Sequence, residues 1–465
     1  MAQNRLNIGI FGTFDVENYG DVLFPIIAEA ELTKRLGPVN IYPFSYGKKS
    51  SSSWPYEVES LEKLPDSISA LDGVLIGGGH LIRFDKFVAP NYFPPTAHIH
   101  HPTGYWLTPM LLALQYGIPI AWNAPGALGE VPNWASALME TVIQQSAYVS
   151  VRDDWAKEIL MNNSPHLNTN VLVTPDTVFS IAEVFPAKRE RSDKLSQLFD
   201  SLKITRPYIL IQTSRGLESF ARMFKEHPDT FENYQIIGLP IGPAIEDNIS
   251  ILENELPNII HFPEWPQALL IAEMIAGAAA VAGTSFHLTI TALAYGVPVF
   301  RPISDNRKYT LFSEFQNIFY FDNSQPVAPA WVKLCLEDAS PSNNHATMKS
   351  MVMQTNRHWD RITGLFRNKA NLPAPHLALS YLLQSFPILL ETPYASQLLK
   401  HEAIIDWYKS ELLAANSLAQ NALQQLQCIQ HSTIWRMTAS IRGFLGRYPS
   451  LCLLGRRILN LFNRR

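Results

Sequence analysis

The chain has 465 residues, 47% of them hydrophobic and 17% charged, with a formal net charge of -4. That is too few charges for a disordered chain and enough apolar material for two buried cores. The slightly acidic balance leaves no electrostatic footprint for nucleic acid over the main body, so no nucleic-acid partner is expected. Met-Ala-Gln-Asn-Arg leads directly into a strand, Asn7 to Phe11, without the pattern of a signal peptide. Gly12 to Gly20 is a polar turn of the form Gly-x5-Asn18-Tyr19-Gly20-Asp21, and a helix is predicted from about Asp21 to Leu36. Capping that helix is the commonest job for an aspartate placed like Asp21.

Gly73 to Ile76 is a strand running into Gly77-Gly78-Gly79-His80. Consecutive glycines after a buried strand let the backbone N–H groups of Gly78 and Gly79 approach a ligand; the plainer reading is a tight strand-to-helix turn. The stretch Tyr92 to Trp106 is aromatic, and ordinary packing is the favoured reading over stacking on a ligand. His98, His100 and His101 have no suitably spaced acidic or cysteine partner, so they read as loop residues and no metal site is expected. Ala147 to Val151 is a strand ending in Arg152-Asp153. The Arg152 guanidinium suits an anion bidentately, with a salt bridge to Asp153 as the alternative. Asp176 falls at a strand end and reads as structural.

Ala187 to Lys203 is charged and reads as a helical connection. A second series of strands follows at 208–211, 235–237, 259–261, 278–282 and 297–300. Arg215, just past the first of them, is a second anion candidate. The most informative stretch is Gly283 to Phe300. Thr284 and Ser285 turn the chain and cap a helix that runs to about Tyr295, so His287 sits in its first turn at the carboxyl end of a parallel strand. Open α/β sheets bind ligands at such ends, and free N–H groups there attract phosphate or carboxylate. No G-x-G-x-x-G or G-K-[ST] pattern accompanies these loops, so dinucleotide binding and P-loop hydrolysis are poorly supported.

Two alternating series imply an α/β fold: two doubly wound Rossmann-like domains facing a cleft, followed by a helical carboxyl-terminal extension. The expected divisions are 1–185, a connecting segment 186–206, a second domain 207–330, a helical region 331–400 packing on the domains, and a tail 401–465.

In this order, Asn18-Tyr19-Gly20-Asp21, the strand with three glycines, Val-Ser-Val-Arg-Asp at 149–153, Thr-Pro-Asp-Thr at 174–177, and Ser-Phe-His at 285–287 with Tyr-Gly-Val-Pro at 295–298 resemble the polysaccharide pyruvyl transferase family. Many relatives carry Arg-Leu-His or Ser-Leu-His followed by glycine, whereas here Leu288 follows His287. The resemblance implies a glycosyltransferase-B-like fold and no cofactor. It implies phosphoenolpyruvate as donor, and as acceptor two hydroxyls of one sugar in a glycan or lipid-linked oligosaccharide. The products would be a pyruvate ketal and phosphate. Such chemistry needs a group that protonates the enol methylene, a base for the attacking hydroxyls, and cations or N–H groups for the donor. His287 is the first choice for acid/base work, with Asp21 as the second catalytic candidate. Asn18, Gly78, Gly79, Arg152, Arg215, Thr284 and Ser285 are the substrate-binding candidates. The rival readings are a nucleotide-sugar glycosyltransferase of the same architecture and a non-catalytic glycan-binding protein.

Three distant cysteines, Cys335, Cys428 and Cys452, form neither a metal motif nor a disulfide framework, which fits a reducing compartment and a cytoplasmic location. Ser396 to Gln430 has helical periodicity. Ser432-Thr433-Ile434-Trp435-Arg436-Met437-Thr438 resembles the S-T-S-W-R-L-T segment behind bacterial surface-glycan glycosyltransferases. Residues 431–465 carry seven arginines and no lysine or acidic residue, among Trp, Phe, Leu and Ile. Two readings stand level. One is an interfacial segment attracted to anionic lipid at the inner face of the cytoplasmic membrane. The other is a helix packing on its own enzyme or on a second subunit of a homo-oligomer.

Overall fold

In the computed structural model, which describes residues 5–51, 54–85, 102–162, 170–245, 247–368 and 392–431, two parallel sheets dominate the body. The first has the spatial order Glu59–Ser60, Asn40–Ser45, Asn7–Phe11, Gly73–Ile76, Ile120–Trp122. The second runs Ile260–His261, Gln235–Leu239, Tyr208–Gln212, Ala280–Ala282, Val299–Pro302, Ile318–Phe321. Both follow the doubly wound order in which the first strand lies between the second and the fourth. Strands covered by helices on both faces have no solvent side, so central ones such as Gly73–Ile76 and Tyr208–Gln212 are buried along their whole length.

Several elements differ from the sequence expectation. Asn40–Ser45, Ile120–Trp122 and Ile318–Phe321 are additional sheet members. The strand expected over 147–151 narrows to Ser150–Val151, which pairs with Leu172–Val173 outside the main sheet. The connecting segment is helical only over Asp193–Ser201. Its start is pinned because Ser192 caps Leu195 N–H while the Glu273 carboxylate accepts from both Ser192 N–H and Ser192 Oγ.

The helices Tyr19–Leu36, Ala268–Ala276 and Phe286–Ala294 lie between the two halves. Their apolar faces form one continuous cluster in which Val22, Leu23 and Ile27 join Ile271, Met274 and Ile290. Polar ties cross the same boundary: Tyr19 N–H donates to Ile241 O at 2.9 Å, and Tyr19 Oη meets Thr291 Oγ1 at 3.0 Å. The first loop is thereby docked on the second half.

The helix His345–Asn368 packs back on the first half through buried Trp359, Ile362 and Phe366. Phe366 fills the space over Gly73, where a Cβ would come within 2.5 Å of its ring. His358 bridges Tyr148 Oη at 2.9 Å and Asn123 Oδ1 at 3.0 Å. Burial pushes its pKa down to about 3, aided by Arg361 and Arg35. The neutral ring therefore accepts from Tyr148 at Nδ1 and donates to Asn123 from Nε2.

Residues 1–397 form one unit by their contacts, and 398–465 form another. The helix Thr392–His431 exposes Ile405, Tyr408, Leu412, Leu413, Leu418, Leu423 and Leu426. Among the described residues no helix is long and apolar enough to cross a membrane. His98, His100, His101 and the segment 432–465 lie outside the described residues.

Candidate active site

In a doubly wound sheet the loops after the first and fourth strands diverge, one toward each face, and open a crevice between them. Both sheets have such a switch point, and the two open into the same cavity of about 420 Å³. The first half supplies Thr13, Asn18 and Asp21 after the first strand, and Gly78 and His80 after the fourth. The second half supplies Gln212, Ser214 and Arg215 after its first strand, and Thr284, Ser285 and His287 after its fourth. Arg83, Arg152, Asp247, Phe286, Lys308 and Tyr309 are also part of the wall.

His287 is where the sequence puts it, in the first turn of the helix Phe286–Ala294, whose N-cap is Ser285 accepting from Leu288 N–H. Its Nε2 lies 3.3 Å from Asp176 Oδ2, and its side chain is 12% exposed. Nδ1 faces the first turn of the helix Tyr19–Leu36: a Cβ on Gly20 would lie only 1.8 Å away. A glycine is therefore required at position 20 for the imidazole to reach the first half at all. Phe24 contacts the ring edge-on at a centroid distance of 5.5 Å.

Asp176 corrects its sequence reading as a merely structural residue. It caps Val178 N–H, but its other oxygen meets His287 and lies 3.8 Å from Arg152 Nη1. Burial alone would raise its pKa, yet His287 and Arg152 outweigh it and hold the carboxyl below its ordinary range. A buried carboxylate on the imidazole fixes the ring orientation.

Asp21 also departs from the commonest expectation. The helix starts at Tyr19, so Asn18 holds the N-cap position and Asp21 lies inside the first turn. Asp21 accepts from Asn18 Nδ2 at 3.0 Å instead of capping the helix. Burial pushes its pKa up from 3.8 to about 6, only partly opposed by His287, Thr13 and Arg152. The glycine run serves this packing: a Cβ on Gly78 would strike Phe24, and one on Gly79, whose φ is +75°, would meet Asp21 Oδ1 at 2.9 Å.

Arg152 is 5% exposed and lies among His80, Asp153 at 3.4 Å, Asp176 and the face of Phe286 at 4.6 Å. Since arginine only donates, His80 Nε2 accepts from it. Burial and then the surrounding cations hold the His80 pKa well below its ordinary value, which keeps that lone pair free. Arg215 reaches the cavity from an exposed position. The amides of Thr284 and Ser285, expected to receive an anion, both donate to Gln212 Oε1 at 2.9 and 2.8 Å. That carboxamide is locked in turn by Asp247, which accepts from Gln212 Nε2 at 2.9 Å and from the Ile241 and Gly242 amides. Gln212 thus takes the two amides that precede the helix, and Ser285 takes that of Leu288; the cationic side chains that line the same cavity include Arg152, Arg215 and Lys308. Lys308 and His80 were not singled out from the sequence. Lys308 carries no local signal, whereas His80 directly follows the glycine run. Among the described residues, no group of three or more His, Cys, Asp or Glu is arranged to hold a metal ion.

A family model described as polysaccharide pyruvyl transferase matches residues 18–306. No curated protein matches the chain. Among solved structures, UDP-GlcNAc 2-epimerase from Methanocaldococcus jannaschii is similar at 13% identity, with 75% of this chain and 99% of that chain covered and a TM-score of 0.44. The Neisseria meningitidis UDP-GlcNAc 2-epimerase bound to UDP-GlcNAc is 12% identical over 81% and 99% of the two chains, with a TM-score of 0.41. Trehalose-6-phosphate synthase, OtsA, is 12% identical over 78% and 99%, with a TM-score of 0.43.

Proposed function

Because the chain belongs to the polysaccharide pyruvyl transferase family and is therefore a transferase, we propose that it moves the enolpyruvyl unit of phosphoenolpyruvate onto a sugar of a cell-surface polysaccharide or its lipid-linked precursor. The observation that carries this reading is the meeting of two switch points in one cavity, with the His287–Asp176 pair beside the Asp21 carboxyl, whose pKa burial pushes up to about 6.

Phosphoenolpyruvate carries a phosphate and a carboxylate. The Arg152 guanidinium and the Lys308 ammonium, with Arg215 at the mouth, supply the opposite charge. One sugar hydroxyl attacks the enol carbon while the methylene gains a proton. A second hydroxyl of the same sugar then displaces phosphate. Two carbon–oxygen bonds to the sugar form, the bond to the phosphate oxygen breaks, and the products are a ketal and inorganic phosphate. In this scheme His287 supplies the proton to the methylene, with Asp176 as the positioning residue. Asp21, ionised above about pH 6, takes the proton of the first attacking hydroxyl, and His287, left neutral by its donation to the methylene, takes that of the second; a pKa close to the working pH suits a general base. The Arg-rich segment 431–465 would hold the enzyme at an anionic membrane face, where a lipid-linked acceptor resides.

The test is phosphate release from phosphoenolpyruvate by the purified protein, with and without surface glycan from the producing organism. Release that requires both supports the reading, and none with any glycan fraction overturns it. His287→Ala should fold normally and lose orders of magnitude in turnover. Near-normal turnover would remove His287 from the mechanism.

A further inference from the structure

A second cavity, of about 500 Å³, lies against the first and shares Arg152, Phe286 and Lys308 with it. The proposed reaction leaves it without a role. It is built from the helix Asp154–Asn162, the residues around Pro175, the turn Arg307–Glu314 and one face of the helix His345–Asn368.

The two cavities differ in charge. The first has four cationic side chains, Arg83, Arg152, Arg215 and Lys308, against Asp21 and Asp247. The second has four carboxylates, Asp153, Asp154, Glu158 and Glu314, against Arg152, Arg307 and Lys308. An anionic donor is therefore drawn to the first cavity and an uncharged, hydroxyl-rich ligand is better matched to the second. The second cavity also contains Trp155, a flat apolar surface among carboxylates and the Gln354 carboxamide. An aromatic face for the C–H side of a pyranose and acceptors for its hydroxyls is the chemistry of a neutral-sugar site.

The cover over Trp155 is weakly held. Arg307 stands over the indole at 5.9 Å and pairs with Glu158 at 3.6 Å, with side chains 65% and 55% exposed. An ion pair this exposed contributes little, so an entering ligand can displace it.

We propose that this second cavity is an acceptor subsite for neutral sugar residues adjoining the one that reacts, with Trp155 as its platform. The assignment rests on the pyruvyl-transfer reading. It makes the enzyme selective for an oligosaccharide over a single sugar, because only a longer acceptor spans both cavities.

The experiment compares methyl glycosides of the component sugars of the producing organism's surface glycan with oligosaccharides from its partial hydrolysis. Phosphate release gives kcat/KM for each. The wild type should favour oligosaccharides, and Trp155→Ala should reduce that preference at least tenfold, mainly through the oligosaccharide KM. Gln354→Ala, at a half-buried helix position, should reduce it about threefold and serves if the tryptophan variant does not fold, since one lost hydrogen bond corresponds to ~0.5–1.5 kcal/mol. An oligosaccharide preference that survives both changes, or its absence in the wild type, overturns the subsite and leaves pyruvyl transfer standing. No phosphate release with any acceptor overturns both.

Discussion

Replacing Asp21 by asparagine tests the electrostatics of the site through stability, independently of any substrate. Asp21 titrates near 6 in the fold, against 3.8 for an ordinary aspartate, and burial is the main cause. A raised carboxyl pKa means that the folded state holds the proton more tightly than the unfolded chain. Its contribution is therefore most favourable below the unfolded pKa and is lost as pH rises through the folded one. Two units at 1.36 kcal/mol each give a cost of about 3 kcal/mol above pH 6. The carboxyl keeps an edge on the cavity where water screens it, so this is an upper bound. The carboxamide of the variant would keep an oxygen for the Asn18 side chain and carry no charge. Asp21→Asn should then be more stable than wild type, by ~0.5 kcal/mol at pH 4, ~1.5 at pH 5 and roughly 2–3 at pH 7–8. Urea denaturation of the two proteins across that range measures the gap directly. A gap that does not change with pH, or a variant less stable than wild type at pH 8, refutes the assignment of a strained, ionised carboxyl at this position. Turnover should fall in the same variant, a stability gain made at the expense of function.

Gly20→Ala places a Cβ 1.8 Å from His287 Nδ1 and must push the imidazole away from Asp176. A displacement of this size should cost about 100-fold in kcat, and near-wild-type turnover would show that the ring need not meet the first turn of the helix Tyr19–Leu36. Arg152→Lys keeps a charge but loses the planar fork shared among His80, Asp153 and Asp176. Its KM for phosphoenolpyruvate should rise about tenfold, near the ~1.5–3 kcal/mol of a charge-assisted hydrogen bond. A lower melting temperature with unchanged donor affinity would transfer the donor contact to Arg215. A protein ending at Gln430 should fail to co-sediment with anionic vesicles at low salt while the full chain does, each basic residue contributing roughly 1 kcal/mol at most. Vesicle binding that survives truncation would make the tail a packing or subunit element.

The sequence alone determined the elements that depend on neighbours along the chain. An apolar run followed by Gly-Thr-Ser is a buried strand turning into a capped helix. Ser285 caps that helix as expected, which fixes His287 at a strand's carboxyl end. The same logic found the strands Asn7–Phe11, Gly73–Ile76 and, at 208–211, all but the last residue of Tyr208–Gln212, and from their alternation with helices the two doubly wound halves. Only the tertiary structure decided which side chains meet there. Asp176 reaches His287 across 111 residues of chain, and nothing local distinguishes it from an ordinary aspartate at a turn. Gln212 takes the amides of Thr284 and Ser285 because the first and fourth strands of the second sheet are neighbours in space. The two amides just before that helix are therefore taken from within, by a side chain of the neighbouring strand. Asp21 acquires its raised pKa from burial between the halves, since a pKa belongs to an environment and that environment exists only once the helices Tyr19–Leu36 and Phe286–Ala294 have packed.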